Sequence, residues 1–254
     1  MRVLEALARV GAVVLTGLAR VGTVVLLAAS AGYGFVAGAR RWVPCTDYFD
    51  SAECVVAQAH ETERLPELAH PEGVSLLLLG GALLCLALLG SLPRGWRVVA
   101  LTVGPTYALI GADTLSWVGR TVAPGPAEPH VLDALFALVV FAAPVVMVGV
   151  AVVLFARSAV GPGPRWLHPD RPLALAWFAM AVGWPITEFF VLSLFHASYD
   201  APPGTGLLRS TMVVVAAVLV VWHVVSRTAY RAVPQAASTT SPGLSRSPAA
   251  TSEA

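Results

Sequence analysis

Two carboxylic acids lie inside long apolar runs of this sequence. Asp113 is in VVALTVGPTYALIGADTLSWV, and Glu188 is in LALAWFAMAVGWPITEFFVLSLF. An ionised acid near the centre of a membrane helix costs ~2.5–3.5 kcal/mol on insertion scales, so such residues are rare and usually functional. The sequence therefore predicts that these two acids belong to a site at which the protein binds, moves or converts something.

Further polar side chains accompany the two acids. On a helical wheel, several polar residues of the run around Asp113 fall within about 40° of it, and such a stripe should face neighbouring helices or water. Other titratable residues stand at the ends of the next two apolar runs, closer to the membrane surface than the two acids. The candidate pocket residues are Asp113, Glu188, Asp133, His196, His130, Thr106, Trp117 and Arg120.

Three functions fit this set of residues. The side chains could line a cavity open to one side of the membrane, where a solute, a proton or a cation binds. They could instead supply metal ligands to a membrane enzyme, because carboxylates and histidines suit zinc or a di-metal centre. As a third alternative, the acids could be protonated and hydrogen-bonded, and so stabilise helix packing in a subunit of a larger assembly.

Enzyme signatures are weak in this chain. The sequence has no HxxxH or HExxH spacing, no nucleotide-binding loop and no GxSxG elbow. We therefore predict no cofactor, keep a metal ion as an alternative, and favour a role other than catalysis.

Composition points to a membrane protein. Hydrophobic residues make up 57% of the 254 residues and charged residues only 12%, about half the charged fraction of a soluble domain. The formal net charge of +1 provides no basic field for phosphates, which argues against nucleic acid as a partner. The expected partners are the lipid bilayer and partner subunits in the membrane.

Six apolar runs are long enough to span the ~30 Å hydrocarbon core as helices of about 20 residues. The sequence thus predicts an all-α, polytopic bundle of six transmembrane helices. The runs are Val21–Ala39, Val74–Leu92, Val98–Gly119, Val131–Phe155, Pro172–His196 and Leu207–Ser226.

The arginines predict the orientation, because cytoplasmic segments carry an excess of basic residues. With the N-terminus inside, eleven arginines fall on the cytoplasmic side and five on the outer side. Both termini are therefore expected in the cytoplasm, in the inner (plasma) membrane. Cleavage of a signal peptide after Ala31 is an alternative, which would leave five spans.

The segments outside the spans divide the chain into three parts. Residues 1–20 contain arginines on one helical face and predict an interfacial amphipathic helix; a single long, tilted first helix is the alternative. Residues 21–231 form the transmembrane domain, with a structured outer loop at 40–73. Residues 232–254 are rich in Pro, Ser, Thr and Ala, which predicts a disordered cytoplasmic tail.

Two cysteines lie close together in the predicted outer loop. Cys45 and Cys54 are expected to form a disulfide, since that side of the membrane is oxidising. Their placement just after a first span resembles the loop cysteines of the vitamin K epoxide reductase family, which also needs a CxxC in a later helix. Cys85 is the only other cysteine, alone in the second span. We therefore predict a structural bond.

Overall fold

The structure, a computed structural model, describes residues 2–45, 52, 54, 66–89, 92–116, 131–160, 168–195 and 204–239. All regular structure in these ranges is helical. The elements are α1 (Arg2–Trp42), a short 3-10 turn (Val43–Cys45), α2 (Pro66–Leu89), α3 (Arg94–Ser116), α4 (Val131–Val160), α5 (Asp170–Val182), α6 (Pro185–Phe195) and α7 (Leu207–Thr239).

The helices form a closed ring around one apolar core. Each of α1 to α5 packs against the next helix along the chain, and α7 closes the ring by packing against both α5 and α1. Within the described ranges, five helices are long and apolar enough to cross a membrane, and α5 with α6 make a sixth span if the bent pair is counted as one. The protein is thus a multi-pass membrane protein built of helices.

The predicted fifth span is broken in the middle. Helices α5 and α6 meet at an angle of 73°, whereas the sequence analysis treats Pro172–His196 as one span. The break follows from local chemistry: Gly183 ends α5 by donating its N–H to Ala179 O at 2.9 Å, and Pro185, which has no N–H, begins α6.

Helices α2 and α3 are in backbone contact along two pairs of glycines. A Cβ added at Gly80 would lie 2.6 Å from the carbonyl oxygen of Gly104, and one added at Gly111 would lie 2.7 Å from that of Gly73. Only glycine permits such an approach. This contact determines the rotation of α3, since the glycine face must point inward towards α2.

At both chain ends, a helix continues across a predicted domain boundary. Helix α1 runs without a break from Arg2 to Trp42, the form of the single-long-helix alternative. How residues 1–20 lie relative to a membrane stays a prediction. At the other end, α7 continues to Thr239, inside the segment expected to be disordered, and residues 240–254 lie outside the described part of the chain.

The predicted disulfide between Cys45 and Cys54 is confirmed. Both cysteines are buried with Trp42, and Leu207 at the start of α7 packs against this group. The Trp42 indole N–H donates to the backbone oxygen of Thr205 at 2.9 Å. We call this end of the bundle the disulfide end, and the opposite end, where α5 begins, the tail end.

Candidate functional site

Glu188 lies in the first turn of α6, directly after the break, and is completely buried, with 0% of its surface exposed. Its Oε1 accepts hydrogen bonds from the backbone N–H groups of Gly206, at 2.7 Å, and Arg209, at 2.9 Å. The first N–H groups of a helix have no partner within that helix. Glu188 therefore caps α7 from a different helix, and the positive end of the helix dipole stabilises its charge.

The turn before α7 brings these N–H groups to Glu188. Gly204 and Gly206 have φ values of +89° and +90°, in the left-handed region where glycine carries no steric penalty. Leu207 then donates its N–H to Gly204 O at 2.9 Å. Two glycines with one residue between them thus turn the chain into α7 so that its N-terminus meets the carboxylate.

Arg209 connects Glu188 to a second acid. Its guanidinium binds Glu72 Oε1 at 3.0 Å, and 5% of the Arg209 side chain and 27% of the Glu72 side chain are exposed. Glu72, Glu188 and Arg209 are within electrostatic range of one another. The guanidinium pairs with Glu72, whereas Glu188 binds the Arg209 backbone N–H. Two carboxylates thus lie near a single guanidinium, which leaves one negative charge in excess when both acids are ionised.

Two aromatic side chains complete the site from α3 and from the break. The rings of Tyr107 and Trp184 meet edge to face, with centroids 4.4 Å apart, and neither residue is exposed. Tyr107 is within electrostatic range of both Glu188 and Arg209. We define the Glu188 cluster as the group of residues that meets here: Glu72, Tyr107, Trp184, Glu188 and Arg209.

The Glu188 cluster contains buried polar atoms that have no hydrogen-bond partner among the described residues. They are Glu188 Oε2, the Tyr107 hydroxyl, Trp184 Nε1 and Arg209 Nε. Most buried polar groups in proteins are hydrogen-bonded, so several unpaired atoms in one cluster call for an explanation. One carboxylate oxygen is fully used by the helix cap, while the other is available to a ligand or a proton.

The structure does not bring Asp113 to Glu188. Asp113 is exposed on the outer face of α3, and Thr102 on the predicted polar stripe is exposed as well. Tyr107 lies about 120° away around the helix axis, on the buried face. The reason is the glycine contact with α2, which turns Gly104 and Gly111 inward and Asp113 outward.

The other predicted site residues are placed as follows. Thr106 is buried and donates its hydroxyl hydrogen to Thr102 O at 3.0 Å, a bond within the helix that leaves its role in a site a prediction. Asp133 is in the first turn of α4, and its side chain lies outside the described part of the structure. Trp117, Arg120, His130 and His196 lie outside the described residues altogether.

Sequence reasoning missed most of the Glu188 cluster. Arg209 and Glu72 are not among the predicted pocket residues, although both stand at the edges of apolar runs. A signal was present, because a charged residue inside a membrane helix usually has a partner of opposite charge. No sequence rule could have added Tyr107, a residue that reads as an ordinary core aromatic.

A metal centre finds no support in the described part of the chain. There, no group of three or more His, Cys, Asp or Glu side chains is arranged to hold a metal ion. The Glu188 cluster offers two carboxylates, one already paired with Arg209, and its other polar atoms are mainly N–H donors. Such donors bind lone pairs and cannot ligate a metal.

Comparison with known proteins assigns no family. No family model, no curated protein and no solved structure matches this chain.

Proposed function

We propose that this protein binds a small ion or solute within the membrane, as a transporter or ion-handling protein, and that the Glu188 cluster is its site. The single observation that carries the proposal is Glu188 itself: it is fully buried, one oxygen caps α7, and the other has no hydrogen-bond partner among the described residues. A buried carboxylate in excess of its basic partner is costly unless a positive charge arrives. A bound cation or proton supplies that charge.

The broken fifth span supports the same function. In many transporters the binding site lies where a membrane helix is interrupted, because the ends of the half-helices offer unpaired backbone groups. Here the break places Glu188 beside the N-terminus of α7. A bent helix pair can also change its angle, which gives a site of this kind a way to open.

We further propose six spans in the inner (plasma) membrane, with both termini in the cytoplasm and the disulfide end outside. The arginine bias and the presence of a disulfide support this orientation. With this orientation, the Glu188 cluster lies in the outer half of the membrane. After mild reduction of intact cells, a membrane-impermeant thiol reagent should label Cys45 and Cys54; labelling only in inverted vesicles would overturn the orientation.

Cation fluxes into vesicles test the function. The purified protein is reconstituted, and fluxes of H⁺, Na⁺ and K⁺ are followed with ion-sensitive dyes under imposed gradients. The wild type should carry at least one of the three. Glu188→Gln keeps an oxygen for the α7 cap and removes the charge, so it should fold and lose that flux.

Asp113→Asn is the matched control, an equivalent change at the exposed acid of α3, and it should retain the flux. A full flux in the Glu188→Gln vesicles would show that transport does not require Glu188. Normal amounts of folded protein for both variants, judged by gel filtration, are needed to compare them.

A second candidate function is that of a membrane subunit in a larger assembly. The observation that favours it is the cap: Glu188 already stabilises the packing of α6 against α7 through two hydrogen bonds. This candidate predicts that a partner co-purifies at defined stoichiometry in mild detergent. It also predicts that Glu188→Gln lowers assembly and leaves vesicle fluxes at the level of protein-free vesicles for wild type and variant alike.

A third candidate function is that of a metal-dependent membrane enzyme. It predicts a stoichiometric metal or a visible absorption band in the purified protein. Elemental analysis together with an absorption spectrum tests this directly, and a metal bound at one per chain would replace the ion-handling proposal.

A further inference from the structure

A second buried polar centre lies at the tail end of the bundle. His223 of α7 is 1% exposed. Its Nδ1 is 2.7 Å from the backbone oxygen of Pro169, just before α5. A carbonyl oxygen only accepts hydrogen bonds, so Nδ1 carries the hydrogen and Nε2 of the neutral ring holds a lone pair. That Nε2 has no hydrogen-bond partner among the described residues.

We infer that the ion handled by this protein is the proton, and that Glu188 Oε2 and His223 Nε2 are its two binding stations, at opposite ends of the α5–α7 helix pair. This inference rests on the proposed function and deepens it. Both atoms are buried acceptors on neighbouring helices. A proton needs only one lone pair, whereas a metal cation needs several ligand atoms.

The surroundings of Glu188 favour a proton over a metal cation. Hard cations such as Ca²⁺ take about 6–8 oxygen ligands. In the described part of the chain, the buried polar atoms of this cluster that lack a partner, besides Glu188 Oε2, are the N–H groups of Trp184 and Arg209 and the Tyr107 hydroxyl. The second carboxylate, of Glu72, is already paired with Arg209. Glu188, Tyr107 and Trp184 are all fully buried, so a proton fits this closed site without displacing a side chain.

The charged groups around His223 come from three helices. Asp170 of α5, Arg227 of α7 and Arg20 of α1 are within electrostatic range of its imidazole. Asp170 is 6% exposed. Its carboxylate stabilises the positive charge of an imidazolium at His223, whereas the two arginines destabilise that charge. Proton occupancy of His223 therefore depends on which of these groups the conformation brings nearest.

An apolar segment separates the two stations. Arg209 and His223 are ~21 Å apart along α7, at ~1.5 Å per residue. Apart from Ser210, next to Arg209, and the indole N–H of Trp177, the buried side chains between them are apolar. They include Val213, Ala216 and Val220 of α7, and Leu173 and Met180 of α5. A proton cannot cross this segment directly, so transfer between the stations requires the helix pair to move or water to enter. Each station then exchanges protons with its own side of the membrane.

Spectroscopy of the purified full-length protein tests the stations one at a time. With ¹⁵N-labelled histidine, His223→Gln should remove one signal set, which has the hydrogen on Nδ1 and converts reversibly to imidazolium on acidification. His70→Gln, at an exposed histidine of α2, should remove a different set. An infrared carboxyl band that appears on acidification and is absent in Glu188→Gln should identify the other station.

Two spectroscopic results would overturn the assignment. One is a hydrogen on Nε2 of neutral His223, and the other is a His223 signal that never converts while the wild type stays folded. Both are read from the wild-type spectrum, once the loss of one signal set in His223→Gln has identified the His223 signals.

Proton flux into vesicles tests whether the stations act together. Glu188→Gln and His223→Gln should each lower the wild-type flux by about 100-fold, as expected for a positioned proton-transfer group. Asp113→Asn and His70→Gln should stay within about twofold of the wild type.

The flux results separate this inference from the proposed function. Loss in Glu188→Gln with a normal flux in His223→Gln would overturn the second station and leave the Glu188 site in place. A flux of Na⁺ or K⁺ without protons would overturn the proton assignment but keep the ion-handling function. A wild-type proton flux equal to that of protein-free vesicles would overturn the two stations together.

Discussion

Asp113 and Glu188 look alike in the sequence and have opposite surroundings in the structure. Each is an acid inside an apolar run that also contains a proline and a glycine. Glu188 is buried, caps α7 and shares Arg209 with Glu72. Asp113 is exposed on the outer face of α3. The difference teaches that an acid in a membrane helix acquires its role from the helix end or the basic residue that reaches it.

Removal of Arg209 should have the largest effect on this comparison. Arg209→Leu leaves Glu72 and Glu188 without their guanidinium, and removal of one partner of a buried ion pair costs about 3–5 kcal/mol. We expect the free energy of unfolding in detergent to fall by that amount, measured with a denaturant series. Arg40→Leu, at an exposed arginine of α1, should cost less than about 1 kcal/mol. Equal losses would mean that Arg209 is not specially placed.

Loss of the α7 cap should distinguish Glu188 from Asp113 by its effect on stability. Glu188→Ala leaves the N–H groups of Gly206 and Arg209 buried without an acceptor, at about 1–2 kcal/mol each. The same denaturant series should show a loss of about 2–4 kcal/mol. Glu188→Gln, which keeps an acceptor oxygen, should lose less than Glu188→Ala. The cap would be refuted by an alanine variant as stable as the glutamine variant.

The glycine contact tests why the two acids differ. Gly80→Ala adds a Cβ 2.6 Å from Gly104 O, so α3 must shift, at a cost of about 1–3 kcal/mol. Gly95→Ala has nothing within 4 Å and should leave stability unchanged or raise it by up to about 1 kcal/mol. Thermal unfolding of the two variants side by side measures the contrast. If both alanines are neutral, the contact does not determine the rotation of α3.

Asp113 should give the smallest effect. Asp113→Ala removes an exposed carboxylate, and we expect the free energy of unfolding to change by less than about 0.5 kcal/mol. A cysteine at position 113 should also react readily with a lipid-soluble thiol reagent, while one at position 188 should not. A large loss of stability in Asp113→Ala would show that a partner covers this face.

Much of the fold could be predicted from the sequence because its determinants are local. Hydrophobic run length indicates membrane helices, and the paired cysteines of one short segment predict a disulfide, which the structure contains. The break in the fifth span was not predicted, although its causes are local: Gly183 and Pro185, two residues apart, act on their own backbone. The candidate site was only partly predictable, since Glu72, Tyr107 and Arg209 come from three different helices.

The sequence by itself thus determined that this is a helical membrane protein with two acids in its apolar runs. Only the tertiary structure decided which of the two acids is buried with partners. The physical reason is that a helix can turn any face inward at similar cost in local structure. Close contact at Gly80 and Gly104 turned α3 so that Tyr107 is buried and Asp113 is exposed. The glycine turn before α7 brought unpaired N–H groups and Arg209 to Glu188.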